Sequence, residues 1–148
     1  AGAARAIANA GIAPDAIRRA VEGVGGVEHR LELVAVADGV RYVNDSKGTN
    51  VGATLAAVRG LAGPLVVIAG GDGKNQDFSE LRQAFRGKVR HVVLIGRDAP
   101  ALKAALADVC ATERATVLLS PACASLDMFR DYIHRGDEFA AAVRSLAA

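Results

Sequence analysis

The sequence predicts an α/β fold, a Rossmann-like and mostly parallel sheet with helices on both faces and an antiparallel hairpin strand at one edge. From residue 43 onward, short β-branched runs alternate with helical patterns, and parallel strands need such crossover connections. Before that point, Asp38 and Gly39 join two apolar runs, which is a strong hairpin signal because both residues tolerate positive φ. The composition, 51% hydrophobic but only 4% aromatic, is common in layered α/β proteins.

The segment before the sheet predicts two helices, Ala3 to Ala10 and Pro14 to Glu22. The letters "GIAP" separate them, and proline suits a first helical turn. The glycine-rich "EGVGGVEHR" then breaks the pattern, so residues 23–29 are expected to form a linker and a domain boundary.

The other elements follow a rhythm of strand, loop and helix. The patterns predict strands at 31–37, 40–44, Leu65 to Ala69, His91 to Ile95 and Thr116 to Leu119, and helices at Val51 to Gly60, Phe78 to Phe85, Ala99 to Ala107, Leu126 to Ile133 and Glu138 to Leu146. Thr49 or Asn50 is expected to cap the helix that begins at Val51, and Asp137 the last helix.

Charge and cysteine usage disfavour several classes of function. The 18 basic residues are scattered and the net charge is +2, so there is no footprint for nucleic acid or an anionic membrane. The apolar runs are too short to span a bilayer, and the start of the chain lacks both a signal peptide's apolar stretch and an initiator methionine. We therefore expect a cytosolic protein and a fragment of a longer one.

No metal site or disulfide is expected. Cys110 and Cys123 show neither CxxC nor Cys/His spacing. His29, His91 and His134 are isolated from other metal-ligating residue types.

Four strands of the predicted parallel sheet end in polar loops: "NDSKGTN", "GGDGKNQD", "GRDAP" and "SPACASLD". In open α/β sheets, ligands bind beyond the carboxyl ends of the strands, so the four loops should converge on one edge. That edge would collect Asp45, Lys47, Thr49, Asp72, Lys74, Arg97 and Ser125.

In "NDSKGTN", Lys47 is a cation able to meet phosphate, and Asp45 can accept from ribose hydroxyls or a lysine. The alternative is a purely structural loop of turn formers, a helix cap and a solvated lysine.

"GGDGK" resembles a phosphate loop but fails the motif tests. Ile68 and Asn75 stand where a Walker A motif needs glycine and Ser or Thr, and Gln76 replaces the last glycine of GxGxxG. What remains is either a backbone that can approach a ligand, with Lys74 as its cation, or a turn with an exposed lysine.

"SPACASLDMF" predicts a strand followed by a helix, whose first N–H groups, near Ser125 to Met128, can receive a carboxylate or phosphate. The alternative is ordinary capping by Ser125.

Cys123 is expected to be a small core residue, because no histidine lies near it in sequence to activate it as a nucleophile. "RGD" at Arg135 to Asp137 is set aside as an adhesion tripeptide because the chain looks cytosolic.

Taken together, "HRLELV", "NDSKGTN", "GGDGKNQDFS", "GRDA", "LLSPACASLDMF" and "RGDEF" closely resemble, in this order, the C-terminal domain of the Mur ligases, in the branch that adds D-glutamate. The loops "DSKGTN" and "SPACASLD" are together highly specific, since sister Mur ligases and folylpolyglutamate synthases differ at the first. The resemblance implies that residues 29–148 are this Rossmann-like domain and that residues 1–28 are the tail of a central ATPase domain and a linker.

The resemblance also implies an ATP-dependent amide ligase of peptidoglycan synthesis. ATP would phosphorylate the carboxylate of UDP-N-acetylmuramoyl-L-alanine, and the amine of D-glutamate would attack the acyl phosphate. The P-loop, a carbamylated lysine and the Mg²⁺ ligands are expected in the central domain, so we expect this chain to be inactive alone. It would be a monomer in the cytoplasm that contacts D-glutamate and ATP, but neither nucleic acid nor membrane.

The resemblance assigns roles residue by residue. It implies that Arg30 and Asp45 lie against the nucleotide, that Lys47 is catalytic near the phosphates, and that Thr49, Lys74, Ser125, the backbone at Leu126, and Tyr132 surround the amino acid. Tyr132 stands where the family often has phenylalanine. Independently, a dicarboxylic amino acid brings two anions, which a lysine and a helix N-terminus on the same rim can bind.

The chain departs from the family between "GRDA" and "SPACAS", where an additional strand and helix are usual. Here the sequence supports one crossover, so this member is shorter or residues have been lost near Cys110 to Ala115. Gly48 is a mild variation on the small residue that the family has at this position.

Two other functions remain open: a non-catalytic Rossmann-like nucleotide or anion binding module, and an interaction domain, which would show a broad apolar surface patch.

Overall fold

The computed structural model describes residues 26–107 and 116–146, together with residues 13, 15, 16, 18 and 19. Between residues 26 and 146 the elements are β1 (Glu32–Ala37), β2 (Val40–Asn44), α1 (Val51–Gly60), β3 (Leu65–Gly70), α2 (Ser79–Phe85), β4 (Val89–Ile95), α3 (Ala99–Ala105), β5 (Thr116–Leu119) and α4 (Tyr132–Leu146). No helix in the described ranges is long and apolar enough to cross a membrane.

The sheet has the strand order β1-β2-β5-β3-β4. β1 pairs antiparallel with β2 at one edge, whereas the pairs β2–β5, β5–β3 and β3–β4 are all parallel. The hairpin turn uses Asp38 and Gly39 at φ 49° and 75°, which is the left-handed conformation that the sequence predicts there. The mostly parallel sheet with an antiparallel edge strand is therefore confirmed.

Helices cover both faces of the sheet, and adjacent residues of β2 show this. Val43 packs into the buried aliphatic cluster that includes Leu55 of α1 and Leu81 of α2. Asn44 points to the opposite face, because successive side chains of a strand alternate. There its Nδ2 donates to the carbonyl of Gly136 in α4, at 3.3 Å.

The core is built from aliphatic side chains with few rings, as the composition predicts. Its fully buried members include Leu65, Val67, Leu81, Phe85, Leu102 and Leu118. Burying one such side chain contributes about 1.5–3 kcal/mol. The cluster joins the sheet to α1, α2 and α3, and so fixes the strand ends from which the polar loops emerge.

Helix α1 begins as the sequence predicts, because the Asn50 side chain accepts a hydrogen bond from Ala53 N at 2.9 Å. The predicted helix Ala3 to Ala10 and the linker residues 23–25 lie outside the described residues. Of the predicted helix Pro14 to Glu22, the four described residues, Asp15, Ala16, Arg18 and Arg19, are helical.

The prediction of two closing helices is wrong. Residues 126–131 form turns, in which Ser125 O accepts from Met128 N and Phe129 N, at 3.1 and 2.8 Å. A single helix, α4, follows, and Asp131 Oδ1 accepts from His134 N in its first turn, at 2.8 Å. The predicted cap, Asp137, lies inside α4.

The error arises at Gly136, whose low helix propensity looks like a break in the sequence. A Cβ at this position would overlap the ring of His29 and lie 3.1 Å from Asn44 Nδ2. His29 and Asn44 are themselves hydrogen-bonded, with 3.0 Å between Nδ1 and Nδ2. The glycine is therefore explained by tertiary packing. Of the "RGD" letters, Arg135 is only 2% exposed and belongs to the interior, whereas Asp137 lies on the surface of α4.

Replacing Gly136 by alanine tests this explanation. On helix propensity alone, the substitution would stabilise the protein by about 1 kcal/mol. Because the new methyl group overlaps His29, we expect it instead to lower the free energy of unfolding by about 1–3 kcal/mol, measured by urea denaturation. The control is Gly60→Ala at the end of α1, where no described atom outside the adjoining backbone lies within 4 Å of the new Cβ. Equal effects of the two substitutions would contradict the packing explanation.

Candidate functional site

The four polar loops converge, as the sequence predicts, and main-chain hydrogen bonds join them. The first loop (residues 44–50) meets the fourth (residues 120–127) where Gly48 O accepts from Ala122 N, at 2.9 Å. The second loop (residues 70–77) pairs with the fourth through two bonds of 2.8 Å between Asp72 and Ala124. The third loop (residues 96–100) joins the second, where Asp98 N donates to Gly71 O at 3.0 Å.

The two glycines that open the second loop allow this close packing. Gly70 and Gly71 have φ of 133° and 123°, a region that other residues rarely adopt. A Cβ on either would run into the main chain of Ile95 or Ala124. The sequence suggests that these glycines admit a ligand, whereas in the structure their space is taken by the neighbouring loops.

Two cavities lie on this rim. The first cavity, of about 210 Å³, is lined by Arg30, Leu31, Asp45, Lys47, Gly48, Ala53, Ala56 and Ala57. The second cavity, of about 220 Å³, is lined by Thr49, Lys74, Ala124, Ser125, Leu126, Asp131 and Tyr132. The three residues predicted to contact a nucleotide all line the first cavity, and the five predicted to surround an amino acid all line the second. Asp72 and Arg97 line neither, and form an ion pair of 3.5 Å with each other.

Lys47 connects the two cavities. Lys47 lines the first cavity, while its Nζ donates to the hydroxyl of Tyr132, which lines the second, at 3.0 Å. The ammonium also lies 4.8 Å from the centroid of the Tyr132 ring, within the range of a cation–π contact. A single cation is thus positioned at the border of both cavities.

Asp45 is a buried carboxylate in the wall of the first cavity, and is 7% exposed. Its Oδ2 accepts from Ser120 Oγ at 2.8 Å, and its Oδ1 from Leu31 N at 3.3 Å. Burial raises the pKa of Asp45 above its usual value, while the Ser120 and Leu31 hydrogen bonds and the charge of Arg30 oppose the shift. The carboxylate is therefore kept in this place at a cost in stability.

The second loop presents Lys74 to the second cavity. Its turn is held by carboxylates, because Gly73 N donates to Asp98 Oδ2 at 2.6 Å and Lys74 N to Asp72 Oδ1 at 3.0 Å. Lys74 has the unusual φ of 51°, and its exposed side chain makes no hydrogen bond or ion pair with another described residue. The loop is fixed by its backbone, and the ammonium remains available for an anion.

Sequence reasoning missed two residues that support the rim. Ser120 bonds both Asp45 and Thr54, whose Oγ1 lies 3.0 Å from Ser120 Oγ. Arg135 reaches from α4 to Ser46 and to Cys123. Ser120 lies inside the motif "SPACAS", and Arg135 is a charged residue in a helix that packs on the sheet. Neither the motif nor the charged residue indicates, from the sequence, which group the side chain contacts.

Cys123 is a core residue, as expected, since it is fully buried. Burial, followed by the charge of Asp98, raises the pKa of the Cys123 thiol to about 11. The group is therefore a neutral thiol at physiological pH and is not an activated nucleophile. Among the described residues, no cluster of three or more His, Cys, Asp or Glu side chains could hold a metal ion.

Comparison with known proteins gives a consistent match. The family described as Mur ligase, glutamate ligase domain, matches residues 29–147. UDP-N-acetylmuramoylalanine–D-glutamate ligase of Aromatoleum aromaticum is 54% identical over 92% of this chain, and the ligases of that name from Burkholderia mallei and Burkholderia thailandensis are 55% identical over 82%.

The chain spans only part of these relatives, 34% of the first and 28% of the other two. The first alignment runs over 156 positions although it covers 92% of a chain of 148 residues, so that relative has positions with no counterpart here. The predicted place of the shortening, residues 110–115, lies outside the described residues.

Replacing Asp45 by asparagine tests the cost of the buried carboxylate. A carboxyl with a raised folded-state pKa contributes stability that is fully present below its unfolded value of 3.8 and is lost as the pH rises through the folded value. We therefore expect the wild type to lose stability relative to Asp45→Asn as the pH rises from 3.5 to 7, because only the wild type carries the titrating carboxyl. The amide loses one of the two accepted hydrogen bonds at either pH, so the raised pKa is tested by the change with pH. Thermal unfolding between these pH values measures it.

Asp38→Asn, in the exposed hairpin turn, is the matched control and should show no comparable change with pH. A stability difference between Asp45→Asn and the wild type that stays constant from pH 3.5 to 7 would contradict the raised pKa of Asp45.

Proposed function

The chain belongs to the family of Mur ligase glutamate ligase domains, and from this premise we propose that it is the C-terminal domain of an ATP-dependent ligase that adds D-glutamate to UDP-N-acetylmuramoyl-L-alanine. The activity would belong to the whole protein, of which residues 1–28 carry the end of the central domain. This would place the protein in the cytoplasm, in peptidoglycan synthesis, and hence in cell-wall biogenesis, cell shape and cell division.

The observation that carries the proposal is the pair of adjoining cavities with Lys47 between them. Amide ligation through an acyl phosphate needs a phosphate donor and an amine on either side of one reacting centre. A cation at the border of the two cavities suits the negative charge that develops there.

The second cavity suits the carboxylates of an acidic amino acid. Lys74 supplies an ammonium, and Thr49 and Ser125 supply hydroxyl groups. No described residue accepts a backbone hydrogen bond from Leu126 N, so the turn at residues 125–128 offers a main-chain donor even though no helix begins there. Asp131 also lines this cavity, but its Oδ1 accepts from His134 N at 2.8 Å in the first turn of α4. Lys74 and the neutral donors are therefore the groups that can bind the two carboxylates.

The first cavity suits part of a nucleotide. Asp45 can accept hydrogen bonds from ribose hydroxyls, while Arg30 and Lys47 supply positive charge. Both cavities are smaller than the range of about 300–1,000 Å³ that is common for drug-sized ligands. We therefore infer that this domain forms one wall of each site, and that the remainder of the enzyme, including the Mg²⁺ ligands, forms the other.

In the proposed reaction, the substrate carboxylate attacks the γ-phosphorus of ATP, and ADP leaves. The amine of D-glutamate then adds to the acyl carbon, and the tetrahedral intermediate expels inorganic phosphate. Lys47 is the catalytic residue of this chain and stabilises the phosphate oxygens by its charge. Thr49, Lys74, Ser125, Leu126 and Tyr132 hold the amino acid so that its amine faces the acyl carbon.

The second candidate is a non-catalytic module that binds a nucleotide or anion. The availability of the Lys74 ammonium favours it as much as the ligase. The two readings differ in what the intact protein does, because only the ligase consumes ATP in proportion to amide formed.

A ligase assay on the intact protein distinguishes them. UDP-N-acetylmuramoyl-L-alanine and ATP are supplied with D-glutamate, L-glutamate or D-aspartate, and product and phosphate are measured together. We expect one phosphate per amide and a strong preference for D-glutamate. Nucleotide binding without product from any of the three amino acids would favour the non-catalytic module.

Lys74→Ala in the intact enzyme tests the division between the cavities. Loss of a charged hydrogen-bond donor should raise the KM for D-glutamate by about tenfold or more, while the KM for ATP stays within about twofold. Lys103→Ala, at an exposed position of α3, is the control and should change neither. Equal losses for both substrates would contradict the assignment of Lys74.

A further inference from the structure

One side-chain hydrogen bond joins a residue of the first cavity to a residue of the second. Lys47 lines the first, Tyr132 lines the second, and the Lys47 ammonium donates to the Tyr132 hydroxyl at 3.0 Å. The proposed function gives each residue a role in its own cavity but assigns none to the hydrogen bond that joins them.

Tyr132 is held in place by contacts that do not involve Lys47. Its main-chain oxygen accepts from Ser46 Oγ at 2.7 Å, and its ring meets the ring of His29 edge-on, with 6.2 Å between centroids. The hydroxyl is thus a fixed acceptor at the end of a restrained side chain, and Lys47 is the longer and more flexible partner.

A phenolic hydroxyl has one proton to donate and two lone pairs that accept. Lys47 occupies one lone pair, so the proton of Tyr132 is available to a group in the second cavity. The only strong acceptors that the proposed substrate brings are its carboxylates. A carboxylate that accepts this proton polarises the hydroxyl and strengthens its bond to Lys47.

We propose that the Tyr132 hydroxyl couples the two cavities, by donating to a carboxylate of the bound amino acid while it holds the Lys47 ammonium at the edge of the nucleotide cavity. The inference rests on the proposed function and deepens it. Tyr132 is then a positioning residue for Lys47 as well as a substrate contact. Phenylalanine would keep the cation–π contact but not this chain of hydrogen bonds.

The coupling is reciprocal by thermodynamic necessity. If D-glutamate fixes Lys47 where the phosphates bind, then bound nucleotide must tighten D-glutamate by the same factor. The intact enzyme should therefore bind D-glutamate at least about tenfold more tightly with a non-hydrolysable ATP analogue than without it, as expected for one charge-assisted hydrogen bond.

Calorimetry on the intact enzyme, saturated with UDP-N-acetylmuramoyl-L-alanine, tests this with Tyr132→Phe. We expect the variant to bind D-glutamate about equally with and without the ATP analogue. In the ligase assay, its KM for D-glutamate should rise about tenfold. Tyr42→Phe is the matched control, because Tyr42 is the other tyrosine, lies on β2 and lines neither cavity. It should keep the coupling of the wild type.

A double-mutant cycle with Lys47→Met locates the effect. Lys47→Met should abolish the same coupling, and adding Tyr132→Phe to it should cause little further loss, since the two groups act through one contact. Coupling that persists in Tyr132→Phe or Lys47→Met, or losses that simply add, would overturn the inference while the ligase function stands. A wild-type enzyme that forms no product would instead overturn the proposed function, and the inference with it.

Discussion

The rim of the sheet depends on one buried guanidinium. Arg135 donates from Nε to Ser46 Oγ at 3.1 Å, from one terminal nitrogen to Ser46 O at 2.8 Å, and from the other to Cys123 O at 3.2 Å. Its planar fork directs donors from three separate nitrogens at two chain segments, whereas a lysine has a single nitrogen. Burial lowers the pKa of Arg135 to about 10, so it stays charged at neutral pH, and its three hydrogen bonds offset part of the desolvation cost. The first and fourth loops are thereby held at a fixed separation.

The same residue fixes the border between the cavities. Tyr132 lies three positions before Arg135 in α4, so the two side chains share a face of the helix. Both meet Ser46, because the hydroxyl that accepts from Arg135 also donates to the carbonyl of Tyr132 at 2.7 Å. Lys47 is the next residue along the chain. The position of its ammonium is thus set through Arg135 and Ser46, which are buried and line neither cavity.

How far the sequence predicts the structure depends on the range of the interaction concerned. The hairpin at Asp38 and the Asn50 cap are local signals, and both are confirmed. Gly136 misled the prediction of α4 because its reason lies in His29, far away along the chain. Strand topology alone predicted that the polar loops meet at one edge, whereas the division of their residues between two cavities could be anticipated only through family resemblance. The partners of Ser120 and Arg135 could not be predicted, since polar contacts across a fold leave no periodic pattern in a sequence.

The second loop shows why a glycine-rich turn after a strand need not bind phosphate. In a phosphate loop, free main-chain N–H groups surround the anion. Here Gly73 N donates to Asp98 and Lys74 N to Asp72, while the N–H groups of residues 70–72 donate to carbonyls of neighbouring loops. The main-chain N–H groups that would bind a phosphate are therefore already hydrogen-bonded. The carboxylates of Asp72 and Asp98 would also repel a phosphate placed against that backbone. Only the Lys74 side chain extends beyond these carboxylates. The loop therefore suits a ligand carboxylate bound by the Lys74 ammonium better than a phosphate bound by the loop's main chain.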